Sequence, residues 1–278
     1  MKFFYILYIF LLTCLTFPFA VRADDTVGSI KAGSLVLEKT DGISLTQETL
    51  SVSENQIQVH LEFVNKTKKD ITTLVAFPIP DIEIYEGSDN SINIDSSNPM
   101  KFKVKVDGKE KPVKLERKLL SGKNIDPQIY SLKYYWEETF LKKKTMVIEH
   151  TYVPAIGSTG THGEATSEEI KTYCMNPDTI HSALKLLQAK TKNDGTTECP
   201  NLWYWNSLDY TLKTGANWKG PIGSFEMIIN KKTPQDLISL CFDGALEKIH
   251  PTQFKYVKKD FEPREDLHIL FIDPRCYQ

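Results

Sequence analysis

Hydrophobic and polar residues alternate with a period of two along much of the chain, as expected of strands with one buried face. Between residues 56 and 64, isoleucine, valine, leucine and phenylalanine occupy every second position, with polar residues between most of them. Asp107-Gly108 follows another alternating stretch and predicts a type I′ hairpin turn. The pattern predicts strands at 56–64, 71–77, 100–106, 134–140, 145–153, 208–213, 224–230, 237–242, 254–257 and 267–272. Many short strands with regular turns predict a mainly β chain built as an antiparallel β-sandwich.

The period changes in the middle of the chain, where two short helices are predicted. Thr166 and Glu169 match a capping box, in which each side chain accepts a hydrogen bond from a backbone amide at the helix start. A second helix is predicted to begin at Asn176-Pro177. Its apolar stripe consists of Ile180, Ala183, Leu184 and Leu187.

These patterns divide the chain into four parts. They are a signal peptide (1–23), a β-sandwich domain (24–155), a small helical insert (156–200) and a C-terminal β-rich part (201–278). The glycine- and serine-rich residues 157–160 predict a flexible connection between the sandwich and the helices. Whether the C-terminal part packs on the first as one unit or forms a second domain stays open, because the length suits either arrangement.

The first segment predicts export. Lys2 precedes an uncharged apolar run over residues 3–17, which suits a signal peptide and is shorter than the roughly 20 apolar residues of a membrane span. Small or modest side chains at Val21 and Ala23 predict cleavage after Ala23. A lipoprotein signal at Cys14 is the weaker alternative. The mature chain is therefore predicted to be periplasmic or secreted, with no transmembrane anchor after cleavage.

Charge excludes one class of partner. Loss of Lys2 and Arg22 with the signal leaves 32 basic residues against 36 acidic ones, so the mature chain has a net charge of −4. No stretch combines clustered Lys and Arg with aromatic residues in the way a nucleic-acid groove requires. Nucleic acid is therefore not expected as a partner.

Four cysteines remain after the signal: Cys174, Cys199, Cys241 and Cys276. An even number in an exported chain predicts two disulfides, for which three connectivities are possible. Pairing of sequence neighbours, Cys174 with Cys199 and Cys241 with Cys276, is favoured because each bond closes a short loop. Each bond would contribute roughly 3–4 kcal/mol in the chain-entropy model.

Several segments occur together in a fixed order along the mature chain. They are GSLVL at 33–37, LVAFPIPDI at 74–82, WEETF at 136–140, EHTYVP at 149–154, YC at 173–174 and TGANWKGPI at 214–222. In these segments the chain, from Asp24 to near Ile272, resembles an uncharacterised family of signal-bearing proteins of Gram-negative bacteria, a domain of unknown function. The resemblance implies an immunoglobulin-like β-sandwich and an exported location, and it implies no activity.

No motif in the sequence predicts an active site, a cofactor or a metal. The G-x-S-x-G turn of serine hydrolases, the P-loop and the HExxH zinc motif are absent. A calcium-loop pattern starts at Asp89, but Ile94 stands where glycine is needed and Met100 where a bidentate acid is needed. No catalytic residue, metal ligand or cofactor is therefore predicted.

The densest unusual feature is a group of aromatic residues in the C-terminal part. Trp203, Trp205, Tyr210 and Trp218 are predicted as weak binding candidates, because aromatic rings beside Asn and Asp stack on sugars or anchor protein partners. The alternative is burial. Strand alternation puts Trp203 and Trp205 on one side and Tyr204 on the other, and at least half of the chain's clustered aromatic residues are expected in the core.

The combined prediction is an exported, non-enzymatic binding or scaffold protein of the bacterial cell envelope, with an envelope protein or a glycan as its partner. One alternative is an envelope glycan-binding module. Another is a hydrolase that acts on cell-wall material through acids such as Glu137, Glu138 or Asp209.

Overall fold

A computed structural model of the protein describes residues 25–31, 34–86, 92–122, 126–162, 166–188 and 202–273. The predicted signal peptide lies outside these ranges. The strands are β1 (Thr26–Lys31), β2 (Ser34–Glu38), β3 (Ile43–Val52), β4 (Ile57–Asn65), β5 (Ile71–Pro78), β6 (Ile82–Ile84), β7 (Lys103–Val106), β8 (Lys109–Lys111), β9 (Lys114–Ser121), β10 (Gln128–Phe140), β11 (Thr145–Tyr152), β12 (Gly157–His162), β13 (Leu202–Tyr210), β14 (Ile222–Asn230), β15 (Leu237–Leu240), β16 (Glu247–His250), β17 (Gln253–Phe261) and β18 (Leu267–Asp273). The helices are α1 (Ser167–Thr172) and α2 (Pro177–Gln188), with a 3₁₀ turn at Lys213–Asn217. None of the described helices has both the length and the apolar character needed to span a membrane.

The described strands form three sheets. The first has the order β2-β1-β5-β10-β6, with β9 also paired to β10. The second has the order β16-β17-β14-β3-β4-β11-β7-β8, and the third β12-β13-β18-β15. Antiparallel pairing dominates, while β3 and β14 run parallel. The predicted mainly β class with antiparallel sheets is confirmed.

The first and second sheets pack face to face through one hydrophobic core. Strand β4 shows the principle, because every second residue from Ile57 to Asn65 is buried and those between are not. Between the sheets, the ring of Phe102 stacks on Phe77 at 5.2 Å and on Tyr134 at 4.4 Å. Burial of such large apolar rings is the main source of stability in a sandwich of this kind.

A bulge in β3 turns an acidic side chain into this core. The register of β3 with β4 shifts at Thr46, which adds one residue to β3. Because one extra residue changes the face that each later side chain occupies, Glu48 joins Leu50 on the buried side. Gly223 of β14 lies against the bulge, and a Cβ at that position would come within 2.6 Å of the Thr46 carbonyl oxygen. The bulge therefore requires glycine in the neighbouring strand.

Strands from distant parts of the chain share the second sheet. β14, from the C-terminal part, lies beside β3, with Ser224 opposite Gln47 and Ile229 opposite Val52. β17 extends the same sheet beyond β14. The 24–155 and 201–278 parts are thus joined by a continuous ladder of backbone hydrogen bonds.

The third sheet includes residues for which the sequence predicts a flexible connection. β12 pairs with β13 along its whole length, with Gly157 opposite Ser207 and His162 opposite Leu202. The prediction of a linker at 157–160 is therefore wrong. Its glycine-rich composition indicates weak intrinsic strand preference, but β13 offers an edge to which this backbone binds.

Both predicted helices are present at their predicted starts. At α1, the Thr166 hydroxyl accepts a bond from the Glu169 amide at 3.2 Å, and the Thr166 amide donates to the Glu169 carboxylate at 2.7 Å. This confirms the capping box. At α2, the Asn176 side-chain oxygen accepts a bond from the Thr179 amide at 2.7 Å. A small apolar cluster that includes Trp205 packs this region onto the third sheet.

A disulfide joins the end of α1 to the end of β15. Cys174 is bonded to Cys241, with 4.9 Å between the Cα atoms and a sequence separation of 67. The favoured pairing of Cys174 with Cys199 is therefore wrong, and with it that of Cys241 with Cys276. The two cysteines are distant in sequence, but the fold places the end of α1 next to β15. Beside the disulfide, the Ser239 hydroxyl donates a hydrogen bond to the Tyr173 carbonyl oxygen at 2.9 Å.

We expect Cys199 and Cys276, which lie outside the described residues, to form the second disulfide. With Cys174 and Cys241 paired, they are the two cysteines left beyond the predicted signal peptide, and chains that are exported with an even number of cysteines usually pair them all. Tyr204 and Asp273, which lie close to them in sequence, are directly opposite each other in the third sheet. Peptide mapping of the unreduced protein should find Cys199 linked to Cys276, whereas a free thiol at either position would contradict this.

Candidate functional site

Three of the four aromatic binding candidates lie in the interior. Trp205, Tyr210 and Trp218 expose 3%, 0% and 3% of their surface. Their rings therefore offer no face to a ligand that arrives from solvent, and the predicted stacking surface is not present at these residues. Trp203 lies in β13, and its side chain is outside the described part of the chain. Tyr204, on the opposite side of that strand, is 38% exposed, as the alternation predicts.

Trp218 connects the start of the described chain to the core. Its indole Nε1 donates to the carbonyl oxygen of Asp25 at 2.6 Å. Its ring centroid lies 4.5 Å from that of Phe63 and 6.0 Å from that of Phe140. These contacts give Trp218 a structural role in the sandwich.

An open cleft of about 640 Å³ lies between the edge of the first sheet and the third sheet. Residues 79–85, which include β6, line one side of it. Residues 154–159, which connect β11 to β12 and begin β12, also line it, together with Tyr173, Ser207 and Asp209. This volume is within the range of about 300–1,000 Å³ that is usual for small-molecule sites.

The lining of the cleft combines apolar side chains, such as those of Ile79, Met100 and Ile156, with carboxylates and tyrosines. Asp81, Glu83 and Asp209 supply the carboxylates, and Tyr85 and Tyr173 supply aromatic rings with hydroxyl groups. Lys, Arg and His are absent from its described lining residues. Such a surface has a negative potential and offers many hydrogen-bond acceptors, so it favours ligands with hydroxyl or amino groups over anions.

Tyr85 presents the most accessible ring in the cleft, with 46% of its surface exposed. Its hydroxyl donates to the Glu83 carboxylate at 2.8 Å. That hydrogen bond raises the pKa of Tyr85, since deprotonation would remove the donor. Burial raises the pKa of the nearby Asp81, while the charge of Lys133 opposes this shift. The ring and both carboxylates thus lie on one wall of the cleft.

Asp209 is positioned by the pairing of β13 with β18, which places it directly opposite His268. Its carboxylate lies 2.8 Å from His268 Nδ1. This hydrogen bond raises the pKa of His268, which favours the protonated imidazole. The imidazole therefore fixes the orientation of the Asp209 carboxylate on the second wall of the cleft.

The three acids considered for a hydrolase, Glu137, Glu138 and Asp209, do not lie together in the cleft. Asp209 lines the cleft, and Glu137 and Glu138 lie on β10, outside its described lining. Glu137 and Glu138 are neighbours on a strand and therefore point to opposite faces. Glu138 also forms an ion pair with Lys111 at 2.9 Å. Among the described residues, no three His, Cys, Asp or Glu side chains are grouped to hold a metal ion.

The sequence prediction missed this cleft because its walls come from segments far apart along the chain. The pairing of β12 with β13, which the sequence does not reveal, brings the start of β12 beside β13. Residues 79–85 reach the same cleft from the first sheet. One local signal was present. Pro78 and Pro80 end β5, and the short segment that follows carries an acid and a tyrosine in a connecting region, where binding residues are often found.

Comparisons with known proteins bear on the family and the fold. A family model for a domain of unknown function (DUF4424) matches residues 23–129 and 127–270. The chain is also similar to the crystal structure of a candidate nutrient-binding protein from Legionella pneumophila, with a TM-score of 0.50 and 19% sequence identity, over 89% of this chain and 72% of that one. At this identity the likeness shows the fold alone. No curated protein matches the chain.

Proposed function

The chain belongs to the family defined by the DUF4424 domain of unknown function, and we propose that it is an exported, non-enzymatic binding protein of the bacterial cell envelope. Its ligand site is the cleft between residues 79–85 and β13. The observation that carries this proposal is the lining of that cleft, which combines three carboxylates with exposed tyrosine in a space of small-ligand size. The binding role named for the Legionella protein of similar fold is compatible with it.

Export is supported by two independent features. The first is the signal-peptide pattern of residues 1–23. The second is the Cys174–Cys241 disulfide, because such bonds form and persist in oxidising compartments. Together they favour the periplasm or the exterior as the place where the cleft meets its ligand.

The ligand class that fits best is a neutral or amine-bearing glycan. Sugar rings stack on aromatic faces such as that of Tyr85, and sugar hydroxyls donate to carboxylates such as Asp209 and Glu83. A glycan made of uronic acids would instead place carboxylates against carboxylates in the cleft, which costs free energy.

We expect the purified mature protein to bind chitotetraose and its deacetylated, cationic form more tightly than tetragalacturonate. Calorimetric titration of the three tetrasaccharides at one ionic strength measures this order. Asp209→Asn should weaken binding of chitotetraose roughly tenfold, because a charged acceptor is lost from the wall of the cleft. Asp243→Asn is the matched control, since Asp243 is exposed and is not part of the described lining.

Three results would contradict this proposal. The first is equal affinity for tetragalacturonate and chitotetraose, and the second is an equal effect of Asp209→Asn and Asp243→Asn. The third is a steady appearance of shorter sugars when the protein is present at substoichiometric concentration, because a binding protein does not consume its ligand.

A further inference from the structure

A buried acidic pair lies in the main core, away from the cleft. Asp25 and Glu48 both have 0% of their surface exposed, and neither belongs to the described lining of the cleft. The Asp25 carboxylate lies 3.0 Å from His150 Nε2, so part of its charge is compensated. By contrast, neither carboxylate oxygen of Glu48 has a hydrogen-bond partner among the described residues.

Such a carboxylate is unfavourable unless a cation or a donor reaches it. Burial raises the pKa of Glu48 to about 8, and the neighbouring charge of Asp25 adds to the effect. Buried polar side chains in native proteins almost always have a partner. The bulge in β3 turns Glu48 inward. The burial of this carboxylate without a partner therefore requires an explanation.

The predicted export step creates a cation beside this pair. Asp25 is the second residue of the chain that cleavage after Ala23 would leave. Hydrolysis of the Ala23–Asp24 bond by a signal peptidase consumes one water, leaves a carboxylate on Ala23 and an amino group on Asp24, and this amino group takes a proton from solvent. Covalent geometry keeps the α-nitrogen of Asp24 within about 5 Å of the Asp25 Cα.

Asp25 itself is anchored in the core. Trp218 binds its carbonyl oxygen at 2.6 Å, and His150 binds its carboxylate. The next residue, Thr26, is also held, because the Asn217 side-chain amide donates to its hydroxyl at 3.0 Å. Asp25 is therefore held in place by contacts with described residues, and it lies close enough to Glu48 for its charge to act on that carboxylate.

We propose that Glu48 is the buried binding site for the α-ammonium group of Asp24, so that removal of the signal peptide completes the core. Before cleavage, the nitrogen of Asp24 is an uncharged amide, so it cannot form an ion pair with Glu48. After cleavage, the ammonium compensates the carboxylate of Glu48. This inference depends on the predicted cleavage site and goes beyond the proposed ligand-binding role.

The test compares two forms of the exported chain. One begins at Asp24, and the other retains Ala23, which moves the amino group along the chain by one residue. At a pH above about 8, the form that begins at Asp24 should have an unfolding equilibrium constant at least about tenfold smaller in urea denaturation, because there the other form buries an ionised Glu48 carboxylate without compensation. Mass spectrometry of the protein secreted from cells should also find Asp24 as its first residue. Equal stability of the two forms, or a different first residue, would overturn the proposal.

A matched pair of variants separates this effect from general disturbance of the N-terminus. In Glu48→Gln, the difference between the two forms should disappear, since the amide carries no charge. In Glu149→Gln, on the outer side of β11 next to His150, the difference should remain. Persistence of the full difference in Glu48→Gln would assign it to another contact.

The pH dependence of stability gives a second readout on the unmodified side chains. In the form that retains Ala23, the raised pKa of Glu48 means that its contribution is fully present below the unfolded value of 4.5 and is lost as pH rises through about 8. In the form that begins at Asp24, the ammonium favours the charged carboxylate and removes this loss. Asp25 and His150 also face the cluster, but they are common to both forms, so only the difference between the two curves counts. Superimposable curves would contradict the proposal.

Discussion

Trp218→Ala is expected to lower the free energy of unfolding by about 3–5 kcal/mol, the range for removal of a large buried aromatic side chain. Trp218 is 3% exposed and packs on Phe63 at 4.5 Å. The substitution also leaves the Asp25 carbonyl without the indole donor that binds it at 2.6 Å. Urea denaturation followed by circular dichroism measures the change.

Val257→Ala is the control for this prediction, because Val257 is 53% exposed and its change should cost less than about 1 kcal/mol. The Trp218 result also decides between the two roles that the sequence leaves open. If Trp218→Ala folded with unchanged stability and lost affinity for a glycan, the structural role assigned to Trp218 would be wrong and the binding role would return.

Replacing Cys174 and Cys241 together by serine should cost about 4 kcal/mol, the chain-entropy value for a closed loop of this length. It should also weaken ligand binding. Tyr173 lines the cleft and immediately precedes Cys174, so the bond to β15 holds that part of the wall in place. Denaturation and calorimetric titration of the double variant measure the two effects.

Wild-type protein and a Lys171→Ala variant, which keeps the disulfide, are the comparisons for this experiment. Lys171 lies in the last turn of α1 and is exposed. A loss of stability without any change in affinity would separate the disulfide from the cleft. Unchanged stability would show that α1 is held to the third sheet by its apolar contacts alone.

Local chemistry made part of the fold predictable. Asp107 and Gly108 have φ angles of 48° and 77°, as the predicted type I′ turn requires, and they connect β7 to β8. The capping box of α1 is present because Thr166 and Glu169 satisfy each other's backbone amides. Alternation also predicted the buried side of β4. In each case the residues that determine the structure are neighbours in sequence.

The parts that could not be predicted depend on contacts between distant segments. Nothing near Glu48 in sequence reveals the bulge that turns it inward, since that bulge depends on pairing with β4 and on Gly223 in β14. The disulfide partner of Cys174 is likewise set by the third sheet. The cleft combines residues 79–85 with β13. Of its acids and tyrosines, only Asp209 is named as a site candidate from the sequence, because no local pattern links these segments.

The central claim is that the cleft is the ligand site, and photo-crosslinking in living cells tests it most directly. A photoreactive phenylalanine analogue replaces Tyr85, which is 46% exposed in the cleft, or Val257, which is 53% exposed on the second sheet. We expect a defined glycan adduct at position 85 that decreases in the Asp209→Asn background, and no such adduct at position 257. An adduct at position 257 with none at position 85, or no adduct at either, would contradict it.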